Sequence, residues 1–443
     1  MAGSGFFVGS LVVGDKRTGD ERGMKSKRWW VLVGLGIAGL LILGSMRYIR
    51  SRDPYTAQAY QIASEYRFRL VQWEIQAIAA ELGERFSTKP VDPEALSART
   101  LVLDYLKVGR EIGAIKTEME RLAAEDRATN AARLQELQTR LDQLRALQEN
   151  RRPVVERILV EQVSAVLREE QLGWLGRALP PVAFHFTEPP YYLILSPRDR
   201  IELRLGIHLE PELSLAAREY LEERAETELP NTSALVEGIG GFATWPTMVI
   251  DSADIRWVVN TIAHEWVHTY LVAYPLGRKY YDSPEMSAIN ETVADIAGEE
   301  IGRKVLARFY PDQLPPTPTP TPAQVRPTVT PTPTPTPTFD FVREMRITRE
   351  TVDRLLAEGK IAEAEAYMEE RRRWFVQHGY YIRKLNQAYF AFYGTYRTGP
   401  AAPVDDPIAP RLRRLRERSP TLADFLRTVR DLTSLEELIA LVP

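Results

Sequence analysis

The chain has 443 residues, a formal net charge of −3 and 44% hydrophobic residues, enough material for two or three folded units. A balance so close to neutral excludes capture of nucleic acid or of an acidic substrate by bulk attraction, so nucleic acid is not an expected partner. With no cysteine, disulfides and thiolate metal sites are excluded too, and any metal must be held by nitrogen and oxygen ligands.

Residues 1–28 form a basic leader containing Lys16, Arg17, Arg22, Lys25, Lys27 and Arg28. Met24 opens the last basic run and reads as an alternative start to Met1. Residues 29–46 carry no charge, and as a helix they would span about 27 Å against a hydrocarbon core of about 30 Å. Trp29, Trp30 and Tyr48 suit the two interfacial belts. A cleaved signal peptide lacks a small-x-small site before Arg47, and a core helix is seldom uncharged all round. The expectation is a single-pass membrane anchor over 29–46. By the positive-inside rule the N-terminus is then cytoplasmic and the rest of the chain extracytoplasmic.

From residue 54 to 179 the period is helical. Val108, Ile112, Ile115, Met119 and Leu122 form one seam, and Leu134, Leu137, Leu141 and Leu144 form another. The two seams are out of register across a polar stretch at 125–130, which predicts an antiparallel helical hairpin acting as a spacer or partner-docking bundle.

Residues 180–310 differ in texture, beginning at Pro180-Pro181. Tyr191 to Leu195 reads as a buried strand, and Ile201 to Ile207 alternates as a half-buried one. His185 and His208 read as ordinary packed or solvated histidines. An amphipathic helix is expected over 213–229, then glycine-rich extended chain over 235–250.

The chemistry lies in His264-Glu265-Trp266-Val267-His268. Positions four apart share a helix face, so His264 and His268 can aim at one metal ion while Glu265, on the rim, reaches water as a catalytic base. Val258, Ile262, Trp266 and Val267 give that helix an apolar side, and Asp254 offers an N-cap. A second helix carries Asn290-Glu291-Thr292-Val293-Ala294-Asp295. Glu291 is the expected third ligand, with a fourth position left for water, as a catalytic Zn2+ requires. Asp295, one turn on, is placed to accept the free ring N–H of a ligating histidine. Only five histidines occur in the chain, so a chance match to this spacing is rare.

These residues resemble the gluzincin, thermolysin-like zinc metallopeptidases, over roughly residues 234–300. No HExxHxxGxxH continuation follows His268, which disfavours a metzincin. The resemblance implies an α+β, mostly helical protein: a zincin-like catalytic lobe of mixed sheet plus zinc helix, completed by a helical C-terminal lobe. It also implies that the edge strand before the zinc helix binds a peptide or protein substrate, here through Gly241, Phe242, Ala243 and Thr244. The glycine-x-methionine-glutamate-asparagine run of some aminopeptidases is absent.

Residues 311–338 are Thr-Pro repeats, expected to form an extended solvated linker. Residues 339–443 are expected as helices: 349–357, 361–396 and two short ones beyond Pro410. They form either the lower catalytic lobe or an independent module. In gluzincins that lobe supplies a tyrosine or histidine to the oxyanion; Tyr393 is the first candidate, with Tyr389, Tyr396 and, last, His378 behind it. The expected activity is peptide-bond hydrolysis with Glu265 as general base and acid. An aminopeptidase of the same clan and a non-catalytic tethered scaffold with a vestigial metal site are the alternatives, and the oligomeric state is left open.

Overall fold

The computed structural model describes residues 53–87, 92–126, 129–174, 177–242, 244–314, 339–397, 399–403 and 406–443. The chain is mostly helical, with small mixed sheets. In chain order come α1 (Pro54–Ile62), α2 (Leu70–Ser87), α3 (Leu96–Asp126) and α4 (Ala131–Glu169). The strands are β1 (Gly173–Trp174), β2 (Arg177–Ala178), β3 (Phe184–Phe186), β4 (Tyr191–Pro197) and β5 (Leu205–Leu209). After α5 (Leu215–Glu228) follow β6 (Thr232–Gly238), β7 (Gly241–Phe242) and β8 (Thr247–Val249). The helices that carry the metal motif are α6 (Ile255–Leu271) and α8 (Pro284–Phe309), joined through the single turn α7 (Pro275–Arg278). The remainder is α9 (Phe341–Ala357), α10 (Ile361–Gln377), α11 (Gln387–Tyr393), α12 (Ile408–Arg418), α13 (Leu422–Val429) and α14 (Leu435–Leu441).

The hairpin follows from its pattern. Ile112, Ile115 and Leu122 of α3 meet Leu137, Leu141 and Leu144 of α4 in one buried seam, with Val108, Met119 and Leu134 packed beside it. Arg140–Glu111 (2.8 Å) and Arg133–Glu118 (3.0 Å) link the outer faces in antiparallel sense. The helix ends at Glu169 rather than near 179: Gln171 turns left-handed (φ 57°), and beyond it β1 pairs antiparallel with β2.

Two three-stranded sheets stand before the metal-motif helices. One has order β5-β4-β6, antiparallel throughout, with β4 central as its apolar run demands. The other has order β3-β8-β7, so the two-residue β7 is an edge strand. The 235–250 stretch is therefore not one extended segment: its first half completes one sheet and its second half is a hairpin in the other. The alternating residues 201–203 stay out of the ladder, which begins where the Arg204 N–H donates to the Leu195 carbonyl (3.0 Å). Ser196 Oγ accepts the Glu202 N–H and donates toward the Arg200 carbonyl, so a side chain takes backbone groups that a strand would have paired.

Asp254 caps α6 by accepting the Trp257 N–H (2.9 Å), as its position predicts. Ser283 caps α8, with Pro284 at the first helical position. Gly298 and Gly302 let α8 pack closely against α6: a Cβ at Gly298 would meet the Cα, Cβ and N of His264 at 3.0 Å, and one at Gly302 would strike Asn260. Apolar side chains of α4, α6 and α8 share one core with those of α12, α13 and α14.

Two expectations in the C-terminal region are corrected. The 361–396 helix breaks after Gln377, where Gly379 turns left-handed (φ 88°) and Tyr380 N–H closes back on the Phe375 carbonyl. It restarts at Asn386, whose side chain caps α11. Three short helices, not two, follow.

The placement as a single-pass membrane protein is also corrected. The segment expected to span, residues 29–46, lies outside the described residues, and among the described residues no helix is long and apolar enough to cross a membrane. The long described helices carry charge along their length, as α8 does with Glu285, Glu291, Asp295, Glu299 and Arg303. Of the Thr-Pro repeat, residues 315–338 lie outside the described residues as well.

Candidate metal centre

Helical spacing places His264 and His268 on one face of α6, and the close glycine crossing brings Glu291 of α8 onto the same point. His264 Nε2 and His268 Nε2 are 3.0 Å apart, with Glu291 Oε2 at 3.4 Å from the first and 3.5 Å from the second. Four ligands set tetrahedrally at ~2.0–2.2 Å from an ion lie ~3.3–3.6 Å from each other, which the two nitrogen–oxygen separations match. Glu291 Oε2 is buried, and although it lies within ion-pair reach of both rings it makes no hydrogen bond. The three side chains form a group able to hold a metal ion.

Each ligand is held from behind. His264 Nδ1 lies 3.1 Å from Asp295 Oδ1, the partner expected from the sequence. His268 Nδ1 donates to Asn290 Oδ1 at 2.7 Å, and the Asn290 amide is oriented by its own Nδ2–H, which donates to the Leu276 carbonyl at 3.3 Å. Tyr280 Oη donates to Glu291 Oε1 at 2.5 Å, leaving Oε2 facing the rings. With both Nδ1 atoms directed outward, both Nε2 lone pairs are turned to the shared point.

The charge balance also fits a cation. Burial disfavours the His264 imidazolium, yet Asp295, Glu291 and Glu265 outweigh it and raise the pKa well above the ordinary value. His268 is raised in the same way. Burial alone would raise Glu291, but His268 and His264 pull it down. Besides burial, the main influences on Glu265 are the two histidines, Glu291 and Asp295, and those on Glu291 are the two histidines. Three carboxylates around two imidazoles leave the pocket short of positive charge, and a divalent ion on nitrogen and oxygen ligands supplies it.

Glu265 is 7% exposed, and burial raises its pKa despite the two histidines. A Cβ at Gly241 would collide with its carboxylate, so a glycine there keeps β7 against the candidate base.

The centre opens into a cleft of about 2360 Å³ lined by residues of α2, the two sheets, α6, α8 and α11. Gly241, Phe242 and Thr244 line it; Ala243 lies outside the described residues. Tyr389, Tyr393 and Tyr396 line it too, but at different places. The Tyr396 ring lies 6.2 Å from that of His264, and Glu291, Glu265 and Asp295 add to burial in raising its pKa. Tyr393 packs on Tyr389 at 4.5 Å, and after burial its ionisation responds to Glu237 and Tyr389, not to the metal cluster. His378 stacks on Phe339 (4.3 Å) at the end of α10, outside the cleft lining.

The two other histidines are packed groups. His185 Nδ1 pairs with buried Glu156 at 3.1 Å. His208 is not on a solvated face: it sits between Tyr192 (4.7 Å) and Phe242 (4.3 Å), and burial lowers its pKa to about 4.

Sequence reasoning missed Tyr280, the contact of Asn290 with His268 and the nearness of Tyr396 to His264. Tyr280 sits in a loop whose spacing to Glu291 follows no helical rule, and Asn290 was visible only as the neighbour of the ligand. No family model, curated protein or solved structure matches this chain, so the case rests on the residues themselves.

Proposed function

We propose that this chain is a zinc-dependent hydrolase of peptide bonds, of the gluzincin kind. The observation that carries the reading is the convergence of His264, His268 and the orphaned Oε2 of Glu291 beside a buried Glu265. A zinc ion held by those three residues would supply Lewis acidity and make water acidic enough to lose a proton near neutral pH.

The chain's own groups do the rest. Glu265 takes a proton from water as the water oxygen bonds to the carbonyl carbon. It returns that proton to nitrogen as the C–N bond breaks. Its raised pKa suits a group that must both accept and release a proton. Tyr396, whose phenol is kept protonated by burial and three carboxylates, is the better-placed donor to the developing oxyanion. Tyr393 stays protonated as well but answers to Glu237, so it suits the substrate wall. The free edge of β7 offers backbone groups to an extended peptide, and the cleft volume exceeds the ~300–1,000 Å³ typical of small-molecule sites.

Glu265→Gln is the direct test. Hydrolysis of a mixed peptide library should fall by about 10²–10⁴-fold while one zinc per chain remains bound. Retained turnover would overturn the assignment.

A further inference from the structure

Glu74 lies on α2, far along the sequence from the metal motif, yet its side chain lines the same cleft. It is 1% exposed, and no side chain hydrogen-bonds either carboxylate oxygen. A buried carboxyl group in that condition costs stability unless something joins it. Burial raises its pKa to about 7, and the Trp245 backbone N–H is the one group that opposes the shift. No lysine or arginine contributes, unlike at Glu222, another buried carboxylate, which Arg383 bonds and Lys384 approaches.

The position has a direction. Trp245 belongs to the turn that links β7 to β8, and β7 begins at Gly241 against Glu265. A peptide laid on the free edge of β7 would have its reacting bond near Glu265 and its chain continuing toward that turn. The walls between are aromatic: Phe242 lies edge-on to Phe68 at 6.5 Å and against His208, and neither supplies charge of its own to Glu74.

We infer that Glu74 is the receptor for a positively charged nitrogen of the substrate, making this cleft selective for peptides that carry a cation a few residues from the cut. The cation is either a lysine or arginine side chain or a free α-amine. Entry of such a group returns Glu74 to its ionised form and satisfies both oxygens in a low-dielectric pocket, where a charge-assisted pair is strongest. The substrate class rests on the hydrolase reading, but the binding pocket does not require turnover.

The test therefore reads binding. The full chain carrying Glu265→Gln is titrated calorimetrically with acetylated, amidated alanine hexapeptides holding one arginine at successive positions. Matched peptides carry citrulline, which keeps the shape without the charge, and a further set has a free α-amine and no arginine. One position, or the free amine, should bind about thirtyfold or more tightly than its neutral match, and Glu74→Gln should erase that difference while leaving the neutral peptides unchanged. The position that responds identifies the source of the cation. Equal binding of charged and neutral peptides, or a charge preference that survives Glu74→Gln, would overturn the proposal. Charge-selective binding without cleavage by the zinc-loaded unsubstituted chain would instead remove the hydrolase reading and leave Glu74 as a cation site.

Discussion

The molecule contains two close helix pairs built on opposite terms. In the α3–α4 hairpin, apolar residues repeat along each helix, meet in a dry seam, and leave the charges outside in ion pairs such as Arg140–Glu111. In the α6–α8 pair, apolar residues still face the core, but one stripe is replaced by His264, Glu265, His268, Glu291 and Asp295. Contact there is set by glycine, not leucine, at Gly298 and Gly302. The hairpin is stabilised by removing hydrocarbon from water. The metal pair is held together despite placing three carboxylates within a few ångströms, and each must be offset by a ring, a phenol, an amide or a cation.

Changing one side of this contrast should leave the other intact. Leu141→Ala opens a cavity in the hairpin seam and should lower stability by about 2–5 kcal/mol. Thermal unfolding would measure it, and zinc affinity of the folded protein should be unchanged; a matching loss of zinc would mean that the two regions are coupled. Asp295→Asn acts on the other side. It should weaken zinc binding by about 10–100-fold with little change in the metal-free melting temperature, read by competition with a chelator.

The smallest effect is expected at Glu300 of α8, where Arg416 (2.7 and 2.8 Å) ties α12 to α8 and Lys304, one turn along α8, adds a bond at 2.9 Å. Burial acts against the carboxylate there, but the two cations outweigh it and hold the pKa at about 2. Because the folded value lies below the unfolded one of ~4.3, this contribution is complete above that pH and disappears as pH falls toward 2. The Glu300 carboxylate is 12% exposed, but its partners Arg416 and Lys304 reach solvent at 21% and 37%, so screening keeps the contribution small. Glu300→Gln should flatten the acid limb of a stability–pH curve between pH 4.5 and 2. An unchanged limb would show that the bridge is ornamental.

The parts of this protein that could be read in advance are those whose partners lie within a turn or two along the chain. Seam residues at three- and four-residue spacing, the Asp254 cap, the pairing of His264 with His268, and Glu291 with Asp295 one turn later all follow from helical geometry. The broken helix at Gln377 was not read, because the aromatic run on either side keeps a helical period while a single left-handed glycine ends it. Nor was the division of residues 235–250 between two sheets, since strand partners are chosen by long-range pairing.

By itself, then, the sequence determined the kind of chemistry: which side chains share a face, which atoms can bind a metal, and which helices have apolar stripes. Tertiary structure decided who stands around them. Tyr280 behind Glu291, Tyr396 beside His264 and Glu74 in the wall of the cleft come from two loops and from a helix far along the chain from the motif. Local periodicity fixes the direction of a side chain relative to its own helix, whereas its neighbours depend on how separate elements bury their apolar faces against one another.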